Sequence, residues 1–143
     1  MIFYLDTSAR VKLFVDEPHA KQVRQWVAGA TQWVVSELSW TAMCAVLALK
    51  MRTRQVDVPQ VRSALAALRK GWPSHQRLGT DAALFAEAGE RALRHDLRAH
   101  DSVQLASARR AFGVTGAALA FCCLDRQLSA AATAIGLAVF TVG

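Results

Sequence analysis

The short apolar run Ile2, Phe3, Tyr4, Leu5 ends on an acid, Asp6, and passes through Thr7 and Ser8 into helix-forming sequence from Ala9 to Val15. The run is aromatic and β-branched in character, as an interior strand requires. Asp6 therefore stands at the carboxyl end of a strand, the edge of an open α/β sheet where ligands bind. Aspartate is also a favoured helix cap, and for this residue taken alone either duty is sufficient.

Two further acids stand at comparable places. Asp101 precedes a helix whose Val103, Leu105, Ala106 and Ala108 fit a buried face. Asp125 closes the apolar segment from Ala118 to Leu124 and precedes a helix carrying Ala130, Ala131, Ala132 and Ala134. The chain has only 11 acids, so strand-end placement of Asp6 and Asp125 on one sheet edge predicts that three carboxylates converge. Such an oxygen-rich set suits a hard divalent cation, Mg²⁺ or Mn²⁺, whereas zinc favours histidine and cysteine. His100 adjoins Asp101 and is a candidate to face substrate, with a surface or core position equally open.

The remaining pattern places strands at 1–5, 32–35, 117–122 and 137–142. Helices fall near 8–15 and 18–29 and at 37–53, 58–71, 81–95, 101–112 and 126–135. Gly71-Trp72-Pro73-Ser74 and Gly79-Thr80 break the middle of the chain around a short fifth strand readable at 76–78. Helices separate most strands, which predicts a mainly parallel sheet of four to five strands covered on both faces, a three-layer α/β/α sandwich. With 143 residues and no long polar linker, one domain over 1–143 is expected. That is long enough to bury about two thirds of its unfolded surface.

Apolar residues make up 53% of the chain, yet polar residues interrupt every run before about eighteen apolar positions accumulate, so no membrane span is expected. Asp6 and Arg10 fall where the apolar core of a signal peptide would lie, which points to the cytoplasm. The three cysteines fit that compartment: Cys122 and Cys123 sit in a strand and Cys44 in a helix, with no paired spacing for a disulfide framework or zinc site. His19, His75 and His95 belong to no motif. The net charge of +6 suits a polyanionic partner. Arginines cluster at Arg52 and Arg54, at Arg69, from Arg91 to Arg98 and at Arg109-Arg110, where each cluster is readable as a phosphate contact or as a solvated helix face. Trp26, Trp33, Trp40 and Trp72 are readable as base-stacking or as packing residues.

Taken together, Tyr4-Leu5-Asp6-Thr7-Ser8-Ala9 with Val15-Asp16-Glu17-Pro18-His19, Val34-Val35-Ser36-Glu37-Leu38, Leu97 to Ala108, and Asp125-Arg126-Gln127-Leu128 with Gly136-Leu137 resemble the PIN-domain family, specifically the VapC type of toxin–antitoxin ribonuclease. The resemblance implies a PIN-like fold and Mg²⁺- or Mn²⁺-dependent endoribonuclease chemistry at Asp6, Asp101 and Asp125, with Thr7, Ser8 and His100 as substrate or shell residues. It also implies an RNA substrate, a small VapB-like antitoxin and a homodimer. In the family the helices here at 37–53 and 58–71 contribute to dimerisation and to the antitoxin groove, to which Leu38, Ala42, Ala45, Leu49, Val61, Leu65 and Leu68 would supply apolar positions. A hairpin packed on its own core is the plainer reading of the same residues.

One position departs from the pattern. Four residues beyond Leu38 the family places a glutamate, and this chain has Ala42. Glu37 lies five residues earlier, about 140° away around a helix, and its charge suits the first turn of that helix. The resemblance implies that the missing glutamate helps hold the metal and orient water for in-line attack. Alanine does neither, so cleavage is expected to be lowered by roughly two to four powers of ten while binding survives. The alternative is a non-catalytic PIN protein that binds RNA or antitoxin. A deliberately inactivated nuclease and a naturally degenerate one both read this way.

Overall fold

The computed structural model describes residues 1–142, and Gly143, the last residue of the expected domain, lies outside them. Strand β1 (Ile2–Leu5) is central, between β2 (Gln32–Ser36) and β4 (Leu119–Cys122), with β3 (Gln76–Leu78) and β5 (Ala138–Phe140) at the edges. Every neighbouring pair is parallel, so the sheet is wholly rather than mainly parallel, and the short fifth strand forms. The order β3-β2-β1-β4-β5 reverses direction at β1, which makes the crevice between the ends of β1 and β4 the switch point of the sheet.

Seven α-helices connect the strands: α1 (Thr7–Arg10), α2 (Ala20–Ala28), α3 (Leu38–Arg52), α4 (Val58–Gly71), α5 (Ala82–His95), α6 (Ala99–Thr115) and α7 (Arg126–Ala134). The helix expected over 8–15 breaks after Arg10 into a 3₁₀ turn, Val11–Leu13. The helix expected from 101 begins at Ala99, so Asp101 lies inside its first turn instead of preceding it. The strand expected from 117 begins at Leu119, after a 3₁₀ turn over Gly116–Ala118, and stops three residues short of Asp125.

Strand alternation sorts the core into two layers. Tyr4, Val34 and Phe121 face Leu105, Ala108 and Leu128 of α6 and α7. Phe3, Leu5, Val35 and Cys122 face Ala9, Val23 and Val27 of α1 and α2. Both faces are covered, which is why these strands read as continuous apolar runs. A capping box at Asp57 and Gln60 starts α4, which packs on α3 through Met43, Leu47, Val61, Ala64 and Leu68. The α3–α4 hairpin thus packs on a core shared with Val11 and Val15, through the face read in the sequence on α4 (Val61, Leu65, Leu68) but one position round the helix from it on α3. Ala45 and Leu49 are exposed, as are Met51 and Val58.

The tryptophans are half-buried and packed: Trp26 meets Phe140, Trp33 stacks on His75, and Trp40 lies against Trp72. The three cysteines are free thiols, and burial pushes Cys122 up to about 12. Among the described residues no helix is long and apolar enough to cross a membrane.

Arg10 breaks the ordinary rule for charges. Its side chain is fully buried, donates from Nη1 to Ser39 Oγ at 3.0 Å, and lies 4.9 Å from the Trp72 ring and 5.8 Å from that of Phe14. Nε and Nη2 have no acceptor among the described residues, and burial pulls the pKa down to about 10. Aromatic faces replace part of the lost hydration, but two orphan donors remain a standing cost. Arg10→Met is therefore expected to keep or raise the urea midpoint, since an apolar side chain of similar length removes the unpaired donors. Ser39→Ala, which strips the guanidinium of its hydrogen bond, is expected to lower stability by about 1–3 kcal/mol. A loss in the Arg10→Met variant as large as that in Ser39→Ala would show that the cation is needed where it lies.

Candidate functional site

Parallel pairing of β1 with β4 carries the chain to the switch point with fixed register, and the Asp6 N–H extends the ladder by donating to the Cys122 carbonyl at 3.1 Å. Beyond that bond α1 begins, and Asp6 caps it. Oδ2 accepts from the Ser8 N–H at 3.1 Å and from Ser8 Oγ at 2.6 Å. Ser8 Oγ in turn accepts from the Leu124 N–H at 3.0 Å, stitching Asp6 to the loop that carries Asp125. Thr7 accepts from Gln104 Nε2, whose Oε1 accepts from the Tyr4 hydroxyl at 2.7 Å, so β1, α1 and α6 share a buried polar chain.

Asp6 is 2% exposed, and no donor among the described residues reaches its Oδ1. Asp101, in the first turn of α6, and His100 face it: one ligand atom from each of Asp6, His100 and Asp101 falls within a common 4.8 Å. Asp125 caps α7 through the Leu128 N–H and lies outside the Asp6–His100–Asp101 group, so two of the three expected carboxylates converge there. Its link to Asp101 is Arg98, whose Nε lies 3.1 Å from Asp101 Oδ2 and whose Nη2 lies 3.7 Å from Asp125 Oδ2. The Asp6 carboxyl is held above the usual carboxylate range, first by burial and further by the neighbouring Asp101, against the pull of the Ser8 hydrogen bonds and His100.

The family model for the PIN domain matches residues 3–115, four fifths of the chain, with both Asp6 and Asp101 inside it. The chain belongs to the PIN-domain family. Solved structures share this PIN fold along most of its length. FitAcB from Neisseria gonorrhoeae is 21% identical, with 98% of this chain and 96% of that one covered and a TM-score of 0.68. VapC20 from Mycobacterium tuberculosis, a sarcin-ricin loop cleaving toxin, is 20% identical over 90% and 94%, with a TM-score of 0.67. A toxin–antitoxin complex from Klebsiella pneumoniae is 17% identical over 85% of each chain, with a TM-score of 0.57. No curated protein sequence matches the chain.

The PIN core thus brings together Asp6, His100 and Asp101 from the sequence reading, with Ser8 and Thr7 as their hydrogen-bonded support and Asp125 joined through Arg98. The orphan Oδ1 of a buried carboxylate, faced by a second acid and an imidazole, is a donor set that fits a divalent cation. Ala42 is half-buried on α3. Val46 lines a groove of about 420 Å³ with Ser8, Lys12, Glu17, Lys50 and Asp125, and position 42 lies one turn before it on the same helix. Glu37 is exposed at the start of α3, where its N–H donates to the Leu78 carbonyl, outside the cluster.

Sequence reasoning passed over Arg98, taking it only as one charge in the stretch from Arg91 to Arg98. Its spacing of three from Asp101 on one helix was the available signal. Glu17, gripped by Lys12 at 2.9 Å and Lys50 at 2.6 Å, was likewise seen only as part of a motif. Other arginines of the clusters are paired on helix faces, Arg109 with Glu87 and Arg110 with Asp81.

Because burial raises Asp6, the native state holds its proton to higher pH than the unfolded chain, whose carboxyl titrates near 3.8. Stability therefore falls as pH rises through the window above 3.8, and the ionised carboxylate is a cost at neutrality. Asparagine is an equally good cap. In EDTA at pH 7, Asp6→Asn is expected to raise stability by about 1 kcal/mol, and the gain is expected to shrink at pH 4.5, as read by urea denaturation at the two pH values. An equal gain at both would show that the charge is not its source.

Proposed function

We propose that this PIN domain, a single domain over 1–143, is a Mg²⁺- or Mn²⁺-dependent endoribonuclease toxin of the VapBC type, its cleavage lowered by Ala42. The observation that carries this reading is the buried Asp6 carboxylate, one oxygen fixed by Ser8 and the other without a hydrogen-bond donor among the described residues, with Asp101 and His100 beside that carboxylate. A divalent ion, when bound, supplies electrophilic stabilisation of the phosphate oxygens and activates water.

The chain's own residues do the rest. Asp6 and Asp101 would hold the ion, with the His100 imidazole as a further ligand. Asp125, joined to Asp101 through Arg98, would add a further carboxylate. Ser8 fixes which oxygen of Asp6 is left free, and Thr7, tied to Gln104, holds the first turn of α1 in register. At position 42 alanine offers no carboxylate to orient water or take its proton. RNA is the substrate that the resemblance implies, and the +6 charge supports a polyanion. The fold shared with VapC20 and with a toxin–antitoxin complex supports an antitoxin partner. Exposed Leu49, Met51 and Val58 on α3 and α4 offer apolar surface to that partner or to a second copy in a homodimer. A toxin acting on cellular RNA works in the cytoplasm.

Ala42 favours a second reading, a PIN protein that binds RNA or antitoxin without cutting. Incubating total RNA with this chain and with Ala42→Glu, each with Mn²⁺ and with EDTA, separates them. The nuclease reading expects metal-dependent cleavage that the glutamate raises by roughly 10²- to 10⁴-fold. Binding by both proteins with no cleavage by either would hand the chain to the second reading.

A further inference from the structure

Arg98 is built differently from the other arginines of its stretch. Its backbone is fixed as the cap residue of α6, where its carbonyl accepts from the Ser102 N–H at 2.9 Å and from Ser102 Oγ at 3.0 Å. Its side chain caps nothing, and the buried Leu97 before it pins the approach. From that anchor the guanidinium reaches across the mouth of the site to Asp101 and Asp125, the two acids that arrive on different helices. The side chain is nevertheless 81% exposed. It buries almost no stem, so it can leave without uncovering apolar surface.

We propose that Arg98 is an internal counter-cation that competes with the divalent ion for Asp101 and Asp125 and so sets the ion concentration at which the site fills. This rests on the reading of the acids as a cation site. Asp101 lies beside the buried Asp6 and is joined to Asp125 through Arg98, so the guanidinium offsets the negative charge of these acids in the metal-free chain. A divalent ion bound to Asp101 would place two positive charges beside Arg98, which already occupies Oδ2 of that carboxylate. Like charges so close do not share the acid equally, and the exposed, flexible partner is the one that turns outward. The chain thus stays folded and neutralised at low ion concentration and exchanges one cation for the other as the concentration rises. Asp6 lies deeper and is not bridged, which leaves the ion a foothold from which to displace the arginine.

The test is Mn²⁺ binding by calorimetry, alongside melting curves in EDTA and in Mn²⁺, for the unaltered chain, Arg98→Gln and Arg98→Lys, with Arg94→Gln as the control for lost surface charge. Competition expects Arg98→Gln to bind Mn²⁺ roughly three- to tenfold more tightly. It also expects a lower melting temperature in EDTA and a larger rise on adding the ion. Arg98→Lys is expected to lie between, since lysine keeps the charge without the fork, and Arg94→Gln to match the unaltered chain. Mn²⁺ binding that is unchanged or weaker in Arg98→Gln overturns the competition while leaving the site intact. No Mn²⁺ binding by any of the four proteins removes the cation site, and this proposal with it.

Discussion

A carboxylate buried at the end of the central strand is the constraint to which the rest of this molecule answers. Asp6 is at once the last rung of the β1–β4 ladder, the cap of α1 and the deepest member of the acidic group. Those duties do not conflict, because the backbone N–H, the backbone carbonyl and the two side-chain oxygens are separate groups. The N–H goes to Cys122, the carbonyl accepts from Ala9 and Arg10, and Oδ2 goes to Ser8. Only Oδ1 is left over. The desolvation that raises the pKa of Asp6 is the cost of holding that oxygen in place, and a carboxylate fixed in advance is what a cation site requires.

Much of this could be read from residues because strand, acid and helix start follow one another directly in the chain. Ile2 to Leu5 had to be buried on both faces, so Asp6 had to emerge at the edge, and the same logic placed Asp125 beyond β4. Helix periodicity was less informative where helices are buried all round. In α6, Asp101 to Ala108 are all buried, and polar Ser102, Gln104 and Ser107 are turned inward along with the apolar residues, so the sequence shows no clean stripe and no clear start. The start was set two residues earlier, at Ala99, behind Arg98, a residue type that has no capping side chain. On α3 the packed face is Ser39, Met43 and Leu47, and a run so rich in alanine and leucine hides which side is inward.

Arg98 and Arg10 show why charge cannot be assigned from composition. Both are arginines next to the sheet edge that carries the acids, yet one spans two carboxylates in solvent and the other lies among aromatic rings with donors unmet. Sequence places them, but what decides their roles is which groups the fold brings from far along the chain: Asp125 for Arg98, and Trp72 and Ser39 for Arg10. Neither partner set is local. The basic clusters resolve the same way, since Arg109 and Arg110 are engaged by Glu87 and Asp81 on a neighbouring helix and contribute less to the outward field than the count of +6 suggests.

Ala42 and Arg98 act on one charge balance. On the proposed reading, with alanine at position 42, Asp6, Asp101 and Asp125 are the carboxylates of the site, and Arg98 already supplies one positive charge to them. A fourth carboxylate on the α3 face would leave the group more negative than a single guanidinium can offset, and the excess would favour a divalent ion over the arginine. Without it, the arginine satisfies a larger share of the demand and the ion gains less by entering. On the proposed reading, the alanine therefore acts twice: it removes a group that would orient water, and it shifts the exchange of cations toward the one that does no chemistry. The two effects differ in kind, since the second is an equilibrium that a higher ion concentration reverses, whereas no concentration of ion restores the missing carboxylate.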